Sequence, residues 1–399
     1  GLEQIAEGRM AVLLLAGGQG TRLGMSCPKG MVSVGLPSGK SLFQLQAERI
    51  RALQKLAGTA KPVPWWVSHA SQKRGDERTH WAGYLPCAKL TYADKIAFSV
   101  GALAAMRKHA CARVHVCVRT TRVADGNGGV YRALSSSGAL ADMQARGVRH
   151  VHAYCVDNVL VRVGDPAFLG FCIHKNADCG AEVVEKVDPT EPVGVVCRVG
   201  DHYRVLEYSE ISSELASRRG TNGRLEFSAA SICNHYFSVD FLEEVVRKYE
   251  PQMLYHVAHK KVGYVDDEGR PVAPDKPPQG DFALYIIFTV RRYFRNFAVF
   301  EVLREDAFSP LKNADKPGQV DCPSTARKAV YSLHAHWVEK AGGHEIRTSH
   351  RPFEQGHTFS LQNGSGGVVC EISPLVSYAG EALQEHVKGK TFPSPFVLD

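Results

Sequence analysis

Three features in the first thirty positions have the chemistry to hold a polyphosphate. The segment Ala16-Gly17-Gly18-Gln19-Gly20 has few side chains to keep a ligand off the backbone, so its N–H groups can turn toward an anion. Arg22 and Lys29 place two cations within reach of that loop. The run Val12 to Leu15 ahead of it has the length and apolarity of a strand buried on both faces. A strand, a glycine loop and two positive charges together describe a polyphosphate site.

Two widespread phosphate motifs do not fit. The dinucleotide fingerprint G-x-G-x-x-G fails because Gly18, Gly20 and Gly24 leave one residue too many between the last two glycines. The P-loop fails at Gly35 to Ser41, which is one residue short before its Gly39-Lys40-Ser41 and contains Pro37, a residue without an N–H to offer. That segment reads instead as a surface turn ahead of a helix beginning near Ser41.

Further along, VRHVHAYCVDN over 148–158 reads as an apolar strand that delivers Asp157 at its end, with a second strand after it. Ligands of open α/β sheets bind beyond the carboxyl ends of strands. One carboxylate plus substrate phosphates is the usual way to hold Mg²⁺, which keeps several of its waters. Asp125-Gly126-Asn127-Gly128-Gly129 is a second glycine-rich segment and by composition a turn, with a helix interrupted in its middle to follow. His235, after a small-residue strand at Ser228 to Cys233, reads as a packed core histidine rather than a base, because an ionised sugar phosphate needs no deprotonation.

These elements need a scaffold. Ser41 to Leu56 carries apolar residues near helical spacing, with Ser41 as N-cap and Gly58 as the stop. Val63 to Ser71 then reads as a strand, and strand, loop, helix, strand is how an α/β domain opens. The chain has 399 residues, 44% hydrophobic and 22% charged, which is enough for two or three domains. No apolar run is long enough to span a bilayer. The formal net charge of +7 suits anionic ligands, and because its cations are dispersed it does not point to nucleic acid. Eleven scattered cysteines without C-x-x-C spacing suggest neither structural zinc nor a disulfide framework, and point to a reduced, cytoplasmic chain. Cys172 and Cys179 read as core residues of one helical stretch.

GGQGTRLG followed by PKG resembles the nucleotide loop of sugar-nucleotide pyrophosphorylases, and with MVSVGLPSGKSLFQLQAERI it most resembles the eukaryotic UDP-N-acetylglucosamine pyrophosphorylases. The resemblance continues through YCVDN, VLEYSE, NHYF, SPLKNAD and CEISPLVSYAGEAL, and covers most of the chain. It implies a glycosyltransferase-A-like, Rossmann-like fold, a mixed and mostly parallel sheet flanked by helices. It also implies a nucleotidyltransferase domain over residues 1–315 and a smaller C-terminal domain over 316–399. That family carries an additional N-terminal domain, so the chain is expected to be a piece of a longer protein or a shortened member.

The resemblance further implies a reaction, UTP plus N-acetylglucosamine 1-phosphate giving UDP-N-acetylglucosamine and pyrophosphate, with Mg²⁺ on Asp157. Arg22, Lys29 and Lys312 would carry the phosphate chemistry. Ala16, Gly17, Gly18, Gly20, Gly101 and Gly126 would bind the nucleotide, and Asn127, Gly194, Glu207, Tyr208 and Asn234 the sugar. No nucleic acid or membrane partner is implied, and a monomer is expected. Two patches depart from the family, at 72–122 and 281–295: Ser99-Val100 stands where a glutamine pair reads uracil, and Thr289 where an aspartate is usual. These departures keep open a pyrophosphorylase for UDP-glucose or UDP-N-acetylgalactosamine, and a weakly active UDP-sugar-binding regulatory relative.

Overall fold

The computed structural model describes residues 1–16, 23, 28–70, 79–81, 85–86, 128–200, 202–250, 256–257, 264–265, 271–272, 283–284, 296–344, 346–347 and 367–399. The chain forms two compact units. One comprises Gly1–Gln19, Ala60–Cys155 and Gly164–Val302, the other Gly20–Thr59, Val156–Val163 and Leu303–Asp399. The expected boundary near residue 315 is therefore not where contacts divide the chain. Residues 303–399 group with two earlier segments, because Leu23, Val32, Val34, Leu42 and Leu45 share an apolar core with Val330, Leu333, Val338 and Ile372.

The first unit is built on a sheet. β1 (Met10–Leu15), buried along its whole length, pairs in parallel with β2 (Pro64–Ala70) and with β5 (His150–Cys155). β3 (Thr79–Trp81) and β4 (Leu85–Pro86) run antiparallel to β2. β9 (Ala229–Ser238) lies antiparallel between β5 and β6 (Cys179–Glu185). β7 (Val195–Val199) and β8 (His202–Leu206) form a hairpin beside β9. Of four two-residue strands, β10 (His256–Val257) pairs with β13 (Ala283–Leu284) and β11 (Tyr264–Val265) with β12 (Pro271–Val272), both antiparallel. β14 (Phe297–Glu301) completes the main path, parallel to β6, in the order β14-β6-β9-β5-β1-β2-β3.

Five strands of that path, β14, β6, β5, β1 and β2, point one way, so the sheet is mixed and mostly parallel, as expected. Their carboxyl ends share one edge. Alternation along the strands puts Ala11, Leu13, Val151, Ala153, Ala181 and Val183 in one cluster with Val130, Leu134, Leu140 and Met143. The last four come from two helices, Gly129–Ser136 and Ala139–Ala145, where one interrupted helix was expected. Gly138, at φ 76°, ends the one and opens the other.

The second unit packs helices Leu42–Leu56 and Pro323–Lys340 with short parallel pairs, β15 (Ile346–Arg347) with β17 (Phe392–Pro393) and β16 (Cys370–Ile372) with β18 (Phe396–Leu398). Ser41 caps its helix reciprocally: the Gln44 N–H donates to Ser41 Oγ, and the Ser41 N–H donates to Gln44 Oε1. The Gly35 to Lys40 turn is held by Glu371, which accepts from both the N–H and the hydroxyl of Ser38.

Three local readings are corrected. Cys172 lies in the helix Pro166–His174, whereas Cys179 opens β6; both are buried. Asn234 and His235 lie inside β9, not after it. The strand expected after Asp157 is irregular backbone. Its carbonyls are taken by side chains instead of a neighbouring strand: Val156 by Gln46, Val159 and Val161 by Arg49, and Val163 by the Tyr378 hydroxyl. Among the described residues, no helix is long and apolar enough to cross a membrane.

Four histidines are held neutral. Burial lowers His152 to about 3, burial with Arg49 nearby lowers His334 to about 3, and burial with Arg149 and Arg9 lowers His150 to about 4. Burial, with His152 beside it, takes His235 well below its usual value. Below about pH 6.5 the unfolded chain binds protons at these positions that the folded chain does not. Stability is therefore full above that pH and falls as pH drops, by up to about 1.4 kcal/mol per pH unit for each histidine. His152→Gln, whose amide oxygen can accept the Gly164 N–H in place of Nδ1, should flatten the pH dependence of the unfolding free energy by about one such increment. Urea titrations between about pH 7 and about pH 5 measure it; an unchanged slope would show that His152 takes up its proton in the folded chain too.

Candidate active site

β1 ends at Leu15, and Ala16 extends its pairing by donating its N–H to the Ser68 carbonyl at 2.8 Å. The glycine loop is thus launched from the carboxyl end of a central parallel strand. Gly17, Gly18, Gly20, Arg22, Gly101, Gly126 and Asn127 lie outside the described residues, as do Ser99, Val100 and Thr289.

Lys29, Asp157 and Lys312 belong to the second unit, and the structure draws their segments together. Lys29 begins a single 3-10 turn, Lys29–Met31, after Pro28. Its Nζ stands 3.3 Å from Asp157 Oδ2, with the two side chains 13% and 23% exposed. At that burial water screens the pair less than a surface ion pair, so each group fixes the other. Asp157 in turn accepts the Leu311 N–H on its backbone carbonyl at 2.8 Å, which brings Lys312 in next to it along the chain. Lys312 donates its own N–H to the Asp321 carbonyl at 2.7 Å, and its Nζ lies 3.6 Å from Asp321 Oδ2. Asp321 is at φ 56°, a left-handed conformation that turns the chain back on itself there.

The second carboxylate oxygen of Asp157 makes no hydrogen bond among the described residues. No group of three His, Cys, Asp or Glu side chains positioned for a metal occurs among the described residues either. A lone accessible carboxylate of this kind fits a hard cation that completes its shell with phosphate oxygens and waters. It does not fit a transition metal needing several protein donors.

The sugar-binding candidates of the described chain lie in the first unit. Gly194 precedes β7 and accepts the Ser231 N–H at 2.8 Å, while Glu207 follows β8 directly opposite. The approach is close. A Cβ on Gly194 would sit 2.7 Å from Val205 Cγ1 and 3.0 Å from Glu207 Oε1. Tyr208, next in the chain, is 53% exposed. Asn234 is buried in β9 and donates Nδ2–H to Glu182 Oε2 at 2.7 Å. The pairing slips there between Glu182 and Val183, and Cys233 adopts φ 59°. A bulge of this kind re-aims the side chain beside it. The structure therefore brings Gly194 and Glu207 together and gives Asn234 a carboxylate partner, while Tyr208 is on the surface.

Sequence reading missed Glu182 and Asn158. Glu182 looks like one more residue of an apolar strand, yet it is 2% exposed. A charged residue inside such a run is the signal that finds it, since a buried carboxylate must be paired.

Residues 3–362 match the family described as UTP–glucose-1-phosphate uridylyltransferase. The chain belongs to that family. A UDP-N-acetylhexosamine pyrophosphorylase-like protein 1 of Xenopus tropicalis is 49% identical over 404 residues, covering all of this chain and 78% of the relative. The UDP-N-acetylglucosamine pyrophosphorylase of Saccharomyces cerevisiae is 36% identical over 405 residues, covering 98% and 78%. UDP-N-acetylglucosamine diphosphorylase 2 of Arabidopsis thaliana is 40% identical over 413 residues, covering 99% and 76%. A crystal structure of the uridine diphosphate N-acetylglucosamine pyrophosphorylase from Trypanosoma brucei superposes with a TM-score of 0.71 at 24% identity, covering 96% of this chain and 76% of that one. At that identity the likeness establishes a shared fold.

Gly194→Ala must push Val205 or Glu207 aside, and overpacking of this kind costs about 1–3 kcal/mol. Urea unfolding of the variant should show a loss of that size with an unchanged denaturant slope. A variant as stable as the parent would mean that Gly194 has room the structure does not give it.

Proposed function

We propose that the chain is a uridylyltransferase that converts UTP and N-acetylglucosamine 1-phosphate to UDP-N-acetylglucosamine and pyrophosphate. The observation that carries this reading is the partly buried Lys29–Asp157 pair, held by backbone bonding next to Lys312. Two cations and a carboxylate in one small region suit phosphoryl chemistry on a polyanion. Relatives named for UDP-N-acetylglucosamine pyrophosphorylase activity at 36–40% identity support the choice of substrates. The N-acetylhexosamine in the name of the 49% identical relative supports an N-acetylated sugar over glucose.

The phosphate oxygen of the sugar phosphate attacks the α-phosphorus of UTP in line. A new P–O bond forms as the bond from the α-phosphorus to the bridging β-phosphate oxygen breaks, and pyrophosphate departs with that electron pair. The nucleophile is already ionised, so no general base is required. The protein contributes position and charge. Lys29 and Arg22 hold the triphosphate with the amides of Ala16, Gly17, Gly18 and Gly20. Lys312 offsets the negative charge that grows on the transferring and leaving oxygens. Gly101 and Gly126 let the nucleotide lie against the backbone. Asn127, Gly194, Glu207 and Asn234 orient the sugar, with Tyr208 as a wall.

Asp157 would hold Mg²⁺, which would supply charge neutralisation at the phosphates. The chain is proposed to act as a cytoplasmic monomer.

Lys29→Ala should lower kcat about 10²–10³-fold, the cost of one preorganised group that stabilises transition-state charge. Its urea-unfolding midpoint should change little, because the pair is only partly buried. Pyrophosphate release under saturating substrates measures the first effect; near-normal turnover would remove Lys29 from the mechanism.

A further inference from the structure

We propose that Asn158 is a positioning residue that fixes the backbone register between Asp157 and Lys312, the two residues that carry the charges. The inference rests on the roles given above to those two residues. Asn158 is 1% exposed and uses both ends of its amide. Nδ2 donates to the Ala307 carbonyl at 2.7 Å, while Oδ1 accepts the Ser309 N–H at 3.0 Å and the Leu160 N–H at 3.2 Å. Around it the Val159 N–H donates to the Ser309 carbonyl, the Leu311 N–H donates to the Asp157 carbonyl, and Asn158 and Pro310 form an antiparallel bridge.

Only an amide of this length does all of this. Aspartate has the acceptor but would set a second oxygen against the Ala307 carbonyl, and alanine leaves three peptide groups without partners, two of them in buried bonds and the third part-buried. Lys312 follows this laced segment directly, after the fully buried Leu311. The bracing from Asp321 on the far side holds the Lys312 backbone but makes no bond to Asp157 among the described residues. Asn158 thus sets the register between the two charged residues without touching a phosphate itself.

The proposal predicts that Asn158 and Lys312 act as one element. Lys312→Ala should lower kcat, and Asn158→Asp should lower it about 100-fold, as misplacement of a catalytic group by about 1 Å does. The double variant should then be no slower than the slower single one. If Asn158 served only to stabilise the fold, the folded Asn158→Asp protein would keep the parent kcat and the inference would fail; if it acted on catalysis independently of Lys312, the two losses would multiply. Multiplication with a fully folded Asn158→Asp protein would overturn the inference. A Lys312→Ala protein with normal kcat would instead remove Lys312 from the mechanism, and with it the premise.

Should Asn158→Asp fold poorly, hydrogen exchange of Asn158→Ser provides the second measurement. The Ser309 and Leu311 amides should lose protection while those of β1 and β5 keep theirs. Retained protection at Ser309 and Leu311 would overturn the proposal without reference to activity.

Discussion

Burying irregular backbone is the constraint on which the rest depends. Val156–Val163 leaves the end of β5 without forming another strand, and most of it is buried. Each peptide group in such a segment needs a partner or costs about 1–3 kcal/mol. Gln46, Arg49, Asn158 and Tyr378 meet that demand, together with the backbone of 307–311. Asp157 then has little freedom, because its neighbours on both sides are committed. In the role proposed for Asp157 as a cation ligand that restriction is a gain, since little ordering cost would remain when the cation arrives.

The charge arrangement follows from the same segment. Lys29 would be a flexible surface cation on the short turn after Pro28 if Asp157 did not hold it. With its side chain 13% exposed, it keeps enough contact with water to remain charged and enough burial to stay in place. Lys312 is held more loosely, at 34% exposure and 3.6 Å from Asp321, with its ammonium 5.9 Å from the centre of the Phe308 ring. One cation is clamped and the other retains reach. That difference suits a triphosphate bound throughout the reaction and a charge that appears only during transfer.

Much of this was legible in the sequence where the signal is local. The buried strand at Val12 to Leu15, the capped helix after Ser41 and the surface turn at Gly35 to Lys40 depend on residues within a few positions of one another, and they stand as read. The misreadings have a common cause in distant partners. Val159 to Val163 has the composition of a strand, but Arg49, 110 residues away, takes its carbonyls. Asn158 stood in the sequence only as the neighbour of Asp157 at the end of a strand, and its donor finds Ala307 across 149 residues. Asn234 was placed after its strand because nothing local announces the bulge at Cys233. Lys29 and Asp157 were picked out by residue type and position and Lys312 by the family resemblance, whereas the hydrogen bonds that bring them together are visible only in three dimensions.

Pyrophosphate release from UTP and N-acetylglucosamine 1-phosphate with Mg²⁺, compared with glucose 1-phosphate as the sugar and with ATP as the nucleotide, tests the central claim most directly. Release confined to the N-acetylated sugar and UTP is the expected result, with Val100 in place of a glutamine causing no loss of uracil preference. Binding of UDP-N-acetylglucosamine by the folded protein without pyrophosphate release from any pair would contradict it.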